Sequence, residues 1–365
     1  MSIFKPFISE ESLKLVNQTL KSGYINEGRK VLKFENLLKK KLNFKNPITL
    51  NSGTSALHLG LIIGGIRPGD EIILPAQTFI ASGTSILMCG AKPVFADINL
   101  YDGNINIESI KKKITKKTKA IMPVHWAGYP CDLDEIKKIA KKYNLFVIED
   151  AAHALGAMYK NRNIGSISDF TCFSFQSIKH LTTGDGGALC CKNFSYYKKA
   201  QKIKWFGINR FNSKFSKLNV RVGDITELGY KYHMNDISAS IGIGNIKIIN
   251  DILKRHNHIA LMYSDGLKNI KGLTQLKYHK DRKSSWWMYN FLVDDRDKFI
   301  NLLLRNKIDY SCVNLRIDKN SIFKKFKSRL PSQDKFEKHQ ISLTINSYIK
   351  DRTVEKIIKI IRKGW

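Results

Sequence analysis

Leu145-Phe146-Val147-Ile148-Glu149-Asp150-Ala151-Ala152-His153-Ala154 is the stretch on which the fold turns. An apolar run that stops at two carboxylates and then at small residues reads as a buried strand, of the kind that fills a helix-covered parallel sheet. Just before it, Leu133, Ile136, Ile139 and Ala140 share one face at helical spacing, while Glu135, Lys137, Lys138 and Lys141 take the other. Asp132 stands where it can cap that helix. Outward in both directions, from about 45 to 200, short β-branched or aromatic runs alternate with amphipathic helical segments. Strands are expected at 47–50, 71–74, 93–96, 120–124, 145–149, 170–175 and 187–191. That alternation predicts an α/β domain built on a mostly parallel sheet.

Beyond it, a helical pattern over 235–267 carries Ile237, Ile241, Ile246, Ile249, Ile252 and Leu253 as its stripe, interrupted by Gly242 and Gly244. It reads as the connector to a second domain. A strand at 286–293 and helices at 297–306 and 352–363 suggest a smaller α+β unit, giving a large domain over 1–250 and a small one over 251–365.

The chain has 365 residues, of which 43% are hydrophobic and 25% charged, and this excludes a disordered chain or a mini-protein. Its longest apolar stretches fall short of the roughly 20 residues that span a bilayer. The first residues meet Pro6, Glu10 and Glu11 and offer no signal-peptide core. Six scattered cysteines form no metal-binding spacing, so no metal site is expected, and reduced thiols in a cytoplasmic protein are. The net charge is +31, but the lysines run along the whole chain, with short clusters at 39–41, 111–119 and 319–327. This reads as a solvated Lys-rich surface whose field draws in anionic substrates. No docking motif accompanies it, so nucleic acid is not expected as a partner.

Three segments carry chemistry. Asn51-Ser52-Gly53-Thr54-Ser55-Ala56-Leu57 lies between a strand and a helix, where free amides, hydroxyls and a glycine make a phosphate cradle. Read alone, it is equally a capped helix start. Asp150 follows its strand, at the sheet end that lines the crevice in open α/β folds, where a carboxylate holds a protonated ring nitrogen or a metal; it reads equally as an N-cap. Phe173-Ser174-Phe175-Gln176-Ser177-Ile178-Lys179-His180 leads through Gly184-Asp185-Gly186-Gly187 into the next strand. Most lysines are surface lysines, but a desolvated Lys179 suits covalent chemistry with a carbonyl. Together the three supply what pyridoxal 5'-phosphate needs: a phosphate site, an acid for the pyridinium nitrogen and a Schiff-base lysine.

On these segments the sequence resembles the DegT/DnrJ/StrS family of sugar aminotransferases. The likeness extends from Ser22-Gly23-Tyr24-Ile25-Asn26-Glu27-Gly28 and Phe34-Glu35 through Pro68-Gly69-Asp70-Glu71 to Gly229-Tyr230-Lys231-Tyr232. It implies the PLP-dependent transferase fold type I, the aspartate aminotransferase-like fold. Lys179 would bond the cofactor and shuttle the proton, and Asp150 would pair with the ring nitrogen. Phe79 would stack on the ring, His153 would face it near its phenolic oxygen, and Thr54, Ser55 and Ser174 would hold the phosphate. The resemblance also implies a homodimer whose active site lies at the interface, with Lys231 reaching the partner's cofactor phosphate where many members carry Asn.

A branch of the family with His in place of the lysine consists of nucleotide-sugar 3-dehydratases. Here Lys179 holds that position and His180 follows it, which favours aminotransfer. A cofactor-binding regulator without turnover is the other alternative. The expected reaction moves an amino group from L-glutamate to a nucleotide-linked keto-sugar, a 4-keto-6-deoxy sugar, in surface-polysaccharide biosynthesis such as that of lipopolysaccharide O-antigen. Tyr24, Asn26, Trp126 and Arg316 are the candidate substrate contacts.

Overall fold

The structure is a computed structural model that describes residues 5–210 and 214–365. Its main sheet has seven strands in the order Pro47–Leu50, Gly187–Cys191, Phe170–Ser174, Phe146–Asp150, Thr118–Ile121, Glu71–Pro75, Lys92–Ala96. Only Gly187–Cys191 runs against the others, pairing antiparallel with both of its neighbours. All seven expected strands are present, six of them within a residue of their expected ends; the one expected at 120–124 runs Thr118–Ile121 and stops three residues early, and each apolar run is closed by a polar or turn residue that cannot continue the buried ladder.

Helices Gly53–Ile63 and Ile80–Met88 cover one face. Gly53–Ile63 is apolar almost all round and buried along nearly its whole length, with Leu57, Leu59, Leu61 and Ile63 in the central core. Helix Leu133–Tyr143 packs Ile136, Ile139 and Ala140 on the other face, as its spacing requires. Asp132 occupies the N-cap position without bonding the helix amides. Its carboxylate is drawn instead to Arg282, at 2.8 Å, so the expected cap is replaced by an ion pair.

The connector divides. Helix Asp236–Asn245 is followed by a 3-10 turn at Ile246–Ile248 and then by helix Ile249–Gly266. The second helix straddles two cores, with Ile249 and Ile252 in the cluster beside the main sheet and Ile259, Ala260 and Tyr263 in a separate one. That separate core lies on a four-stranded antiparallel sheet in the order Leu273–Gln275, Tyr289–Val293, Gln340–Leu343, Tyr310–Ser311. Helices Arg296–Arg305 and Asp351–Arg362 cover it through Phe299, Leu303, Val354 and Ile361. No helix among the described residues is long and apolar enough to cross a membrane.

Candidate active site

The strand Phe146–Asp150 delivers its two carboxylates to opposite faces, as the two-residue period of a strand dictates. Glu149 turns into the core, where His125 Nε2 donates to it at 2.7 Å. Asp150 lines a cavity of about 420 Å³ at the carboxyl ends of the parallel strands. Its Oδ2 accepts from Ser82 Oγ at 2.6 Å and its Oδ1 from the Ala152 N–H at 3.1 Å, so the carboxylate is fixed in direction. Thr78 Oγ1 lies 2.6 Å from Ser82 Oγ and extends that support. No helix begins at Asp150, and the N-cap alternative is not realised.

The start of helix Gly53–Ile63 also borders the cavity, and the capped-helix reading of that segment is realised. Ser52 caps the helix by accepting from the Ser55 N–H at 3.0 Å. Ser52, Gly53 and Thr54 line the cavity. Gly53 is required by close approach: a Cβ there would sit 2.9 Å from Ser174 Cβ, prising apart two of the segments that form the cradle. Ser174 is on the cavity wall. Ser55 is the exception, since its hydroxyl donates to Asn51 Oδ1 at 2.7 Å and belongs to the capping network rather than to the wall.

Lys179, His153 and Phe79 line the same cavity. Burial pushes the Lys179 amine down to about 7, and the nearby Asp150 charge opposes that shift without cancelling it. A large fraction of Nζ is therefore neutral at physiological pH. His153 is held well below its ordinary value, first by burial and then by Lys179 and His180, so its ring is uncharged. Phe79 is 59% exposed and presents its ring at the cavity mouth, at the N-terminal end of helix Ile80–Met88.

A helix-start anion site, an oriented carboxylate, an amine of lowered pKa and an open aromatic face in one cavity fit pyridoxal phosphate. No cluster of three or more metal-ligating side chains occurs among the described residues.

The structure places the candidate substrate residues elsewhere. Trp126 is 1% exposed and packs edge-to-face on Phe336 at 5.3 Å, making it core rather than pocket wall. The left-handed Ala127, with φ 53°, turns the chain there. Arg316 is 4% exposed, and Nε and Nη2 each reach Asp318 at 2.7 Å while Nη1 bonds Asp334. Its donors are committed to these two carboxylates, and it does not line the cavity. Tyr24 and Asn26 lie in the exposed loop between helices Glu10–Ser22 and Arg29–Leu42, off this cavity. Asn26 Oδ1 accepts from His233 Nε2 at 2.9 Å. Lys231 is exposed, and only its backbone approaches the cradle, accepting from Asn51 Nδ2 at 3.3 Å.

Trp287 and Ser311 line the cavity without any signal in the sequence, and Val313 and Asn314 line it from the segment that leads to Arg316. All come from the C-terminal part of the chain, and nothing in their local spacing ties them to a distant strand end.

Residues 6–362 match the model of the DegT/DnrJ/EryC1/StrS aminotransferase family. The spore coat polysaccharide biosynthesis protein SpsC of Bacillus subtilis is 33% identical, over 98% of this chain and 95% of its own. The GDP-perosamine synthase of Escherichia coli O157:H7 is also 33% identical, over 93% of this chain and 89% of its own. Among solved structures, Spr1654 of Streptococcus pneumoniae in its PLP form superposes with a TM-score of 0.91 at 29% identity, covering 100% of this chain and 98% of that one.

Proposed function

Because the chain belongs to the DegT/DnrJ/EryC1/StrS aminotransferase family and is a pyridoxal-phosphate-dependent sugar aminotransferase, we propose that it carries an amino group from L-glutamate to a nucleotide-linked keto-sugar. The acceptor in this reading is a 4-keto-6-deoxy sugar, and the product feeds surface-polysaccharide synthesis, in keeping with the spore coat polysaccharide biosynthesis named for SpsC. The observation that carries the reading is the meeting of Lys179 and Asp150 in one cavity that the start of helix Gly53–Ile63 also lines.

Pyridoxal phosphate supplies a carbonyl that takes up the amino group and a protonated ring that accepts the electron pair released at the donor's Cα. The residues do the rest. Thr54 and the Ser52–Gly53 turn bind the phosphate at the positive end of a helix. Asp150, held by Ser82 and the Ala152 amide, would keep a proton on the ring nitrogen. Neutral Lys179 Nζ accepts the proton leaving the donor's Cα and returns it on the opposite side of the transfer. Neutral His153 faces the ring without adding a second positive charge beside that amine. Lys179 rather than His180 is on the cavity wall, which supports aminotransfer over dehydration: His180 is buried, donating to the Ser285 carbonyl at 2.9 Å.

The homodimer belongs to the same reading. Tyr24 is 83% exposed and Leu228 78%, and Ile25, Phe206, Leu218 and Ile225 are also exposed, all on the N-terminal loop and the 206–228 segment. So much apolar surface on one set of loops favours a second copy as its cover. Tyr24, Asn26 and Lys231 then serve the partner's cavity rather than their own.

The experiment is transfer from 15N-labelled glutamate to a panel of nucleoside-diphosphate 4-keto-6-deoxy sugars, followed by mass spectrometry. The expected result is one labelled nitrogen in one sugar, with one 2-oxoglutarate per amine. A sugar that loses water and gains no label would instead identify a dehydratase.

A further inference from the structure

Residues 284–287 form a strap from the C-terminal part of the chain that lies across the large sheet's crevice. The Ser285 N–H bonds the Gly128 carbonyl and the Trp287 N–H the Ala127 carbonyl, both at 3.1 Å, and Ser285 Oγ donates to the His153 carbonyl at 2.7 Å. Gly128 makes room for this, since a Cβ there would meet Ser285 Oγ at 2.4 Å. Trp286 sits at φ 53°, a left-handed conformation that a bulky residue adopts only where its surroundings enforce it. That turn sets the neighbouring indole. Trp287 is 5% exposed and donates from Nε1 to the Ile178 carbonyl at 3.1 Å. Its ring stacks on His153 at 3.7 Å and 9°, and Lys179 Nζ lies 4.2 Å from its centroid.

We infer that Trp287 is a positioning residue for Lys179: its indole face holds the lysine amine whenever that amine is not bonded to the cofactor. Over one full amino transfer the amine must leave the carbonyl carbon in the first half, stay close, and come back to it at the end of the second. A free ammonium on a flexible stem in a cavity of about 420 Å³ has many places to go, and an indole clamped on both its ring and its Nε1 leaves one. The charged and titratable groups facing Nζ are Asp150 at the end of its strand, His153 and His180, with Asp185 on the same cavity wall. The inference rests on the reading of Lys179 as the residue that bonds the cofactor.

The test mixes apoprotein with pyridoxal phosphate over a range of pH and follows growth of the visible band. Only neutral Nζ attacks the carbonyl, so the rate rises through an inflection that reports the free amine, expected near its value of about 7 in the wild type. Trp287→Leu keeps an apolar neighbour and removes the ring. The ammonium then loses its cation–π partner, and the inflection moves down by about half a unit to one and a half units. Trp287→Phe keeps a weaker ring and moves it down by less. Titration of the cofactor itself is common to all three proteins, so the differences between them isolate Trp287. An inflection in Trp287→Leu that stays put or moves up overturns the inference, as does a Phe variant that shifts as far as the Leu one. Should Trp287→Leu fail to fold, Trp287→Phe alone decides, and an unmoved inflection there counts against the inference. A wild type that forms no band at any pH would overturn the role of Lys179 instead.

Discussion

Lys179→Ala is expected to abolish the visible band formed with pyridoxal phosphate and to slow amino transfer by roughly 10⁴-fold, the upper end of what one positioned proton-transfer group contributes. Two functions are lost together, the bond to the cofactor and the base at the donor's Cα. Lys179→Arg is expected to be no better, because a guanidinium stays protonated and has no free electron pair to offer. The same argument fixes the pH dependence. Burial is the larger influence on Nζ and drives it down to about 7, where the neutral form becomes abundant. The proton-transfer half-reaction therefore rises with pH up to about 7 and levels above it. Single-turnover kinetics with glutamate measure both effects. Turnover by Lys179→Ala within tenfold of wild type would remove the lysine from the mechanism.

The second large effect is expected at Asp150. Asp150→Asn keeps the shape but loses the charge that would face the ring nitrogen, and breaking one side of a buried charge pair costs about 3–5 kcal/mol, or roughly 10²- to 5 × 10³-fold in rate. Ser82→Ala leaves the carboxylate in place with one hydrogen bond fewer, and a bond to a charged group contributes about 1.5–3 kcal/mol. Its effect on cofactor affinity and on turnover should run in the same direction and be smaller. An Asp150→Asn enzyme with nearly wild-type turnover and cofactor affinity would show that the ring nitrogen is not held there.

What was legible in the sequence, and what was not, follows from how local each signal is. The strand at 146–150 and its neighbours are written in contiguous apolar runs with clear stops, and the order of cradle, carboxylate and lysine is preserved along one domain. Strand periodicity even separates Glu149 from Asp150 once the sheet is known. Trp126 misled because an aromatic just after a strand end lies on the same loops that build the pocket. The left-handed Ala127 next to it and the distant Phe336 decide that it is core. Arg316 is a candidate on its charge alone, and in the structure Asp318, two residues on, takes its fork. Trp287 was invisible for the opposite reason: nothing near 287 marks it, and its role arises only when the strap lies against Gly128 and His153. Tyr24, Asn26 and Lys231 lie off the cavity of their own chain, which is where residues that serve a partner's site would be found.

The central claim is that this cavity binds pyridoxal phosphate through Lys179 and cycles it between an amino donor and a sugar. It is tested most directly by the visible spectrum of the purified protein with pyridoxal phosphate, recorded before and after L-glutamate and then after a nucleotide-linked keto-sugar. The account predicts a band that forms with the cofactor, bleaches with glutamate and returns with one particular sugar. A wild-type protein that forms no such band would contradict it.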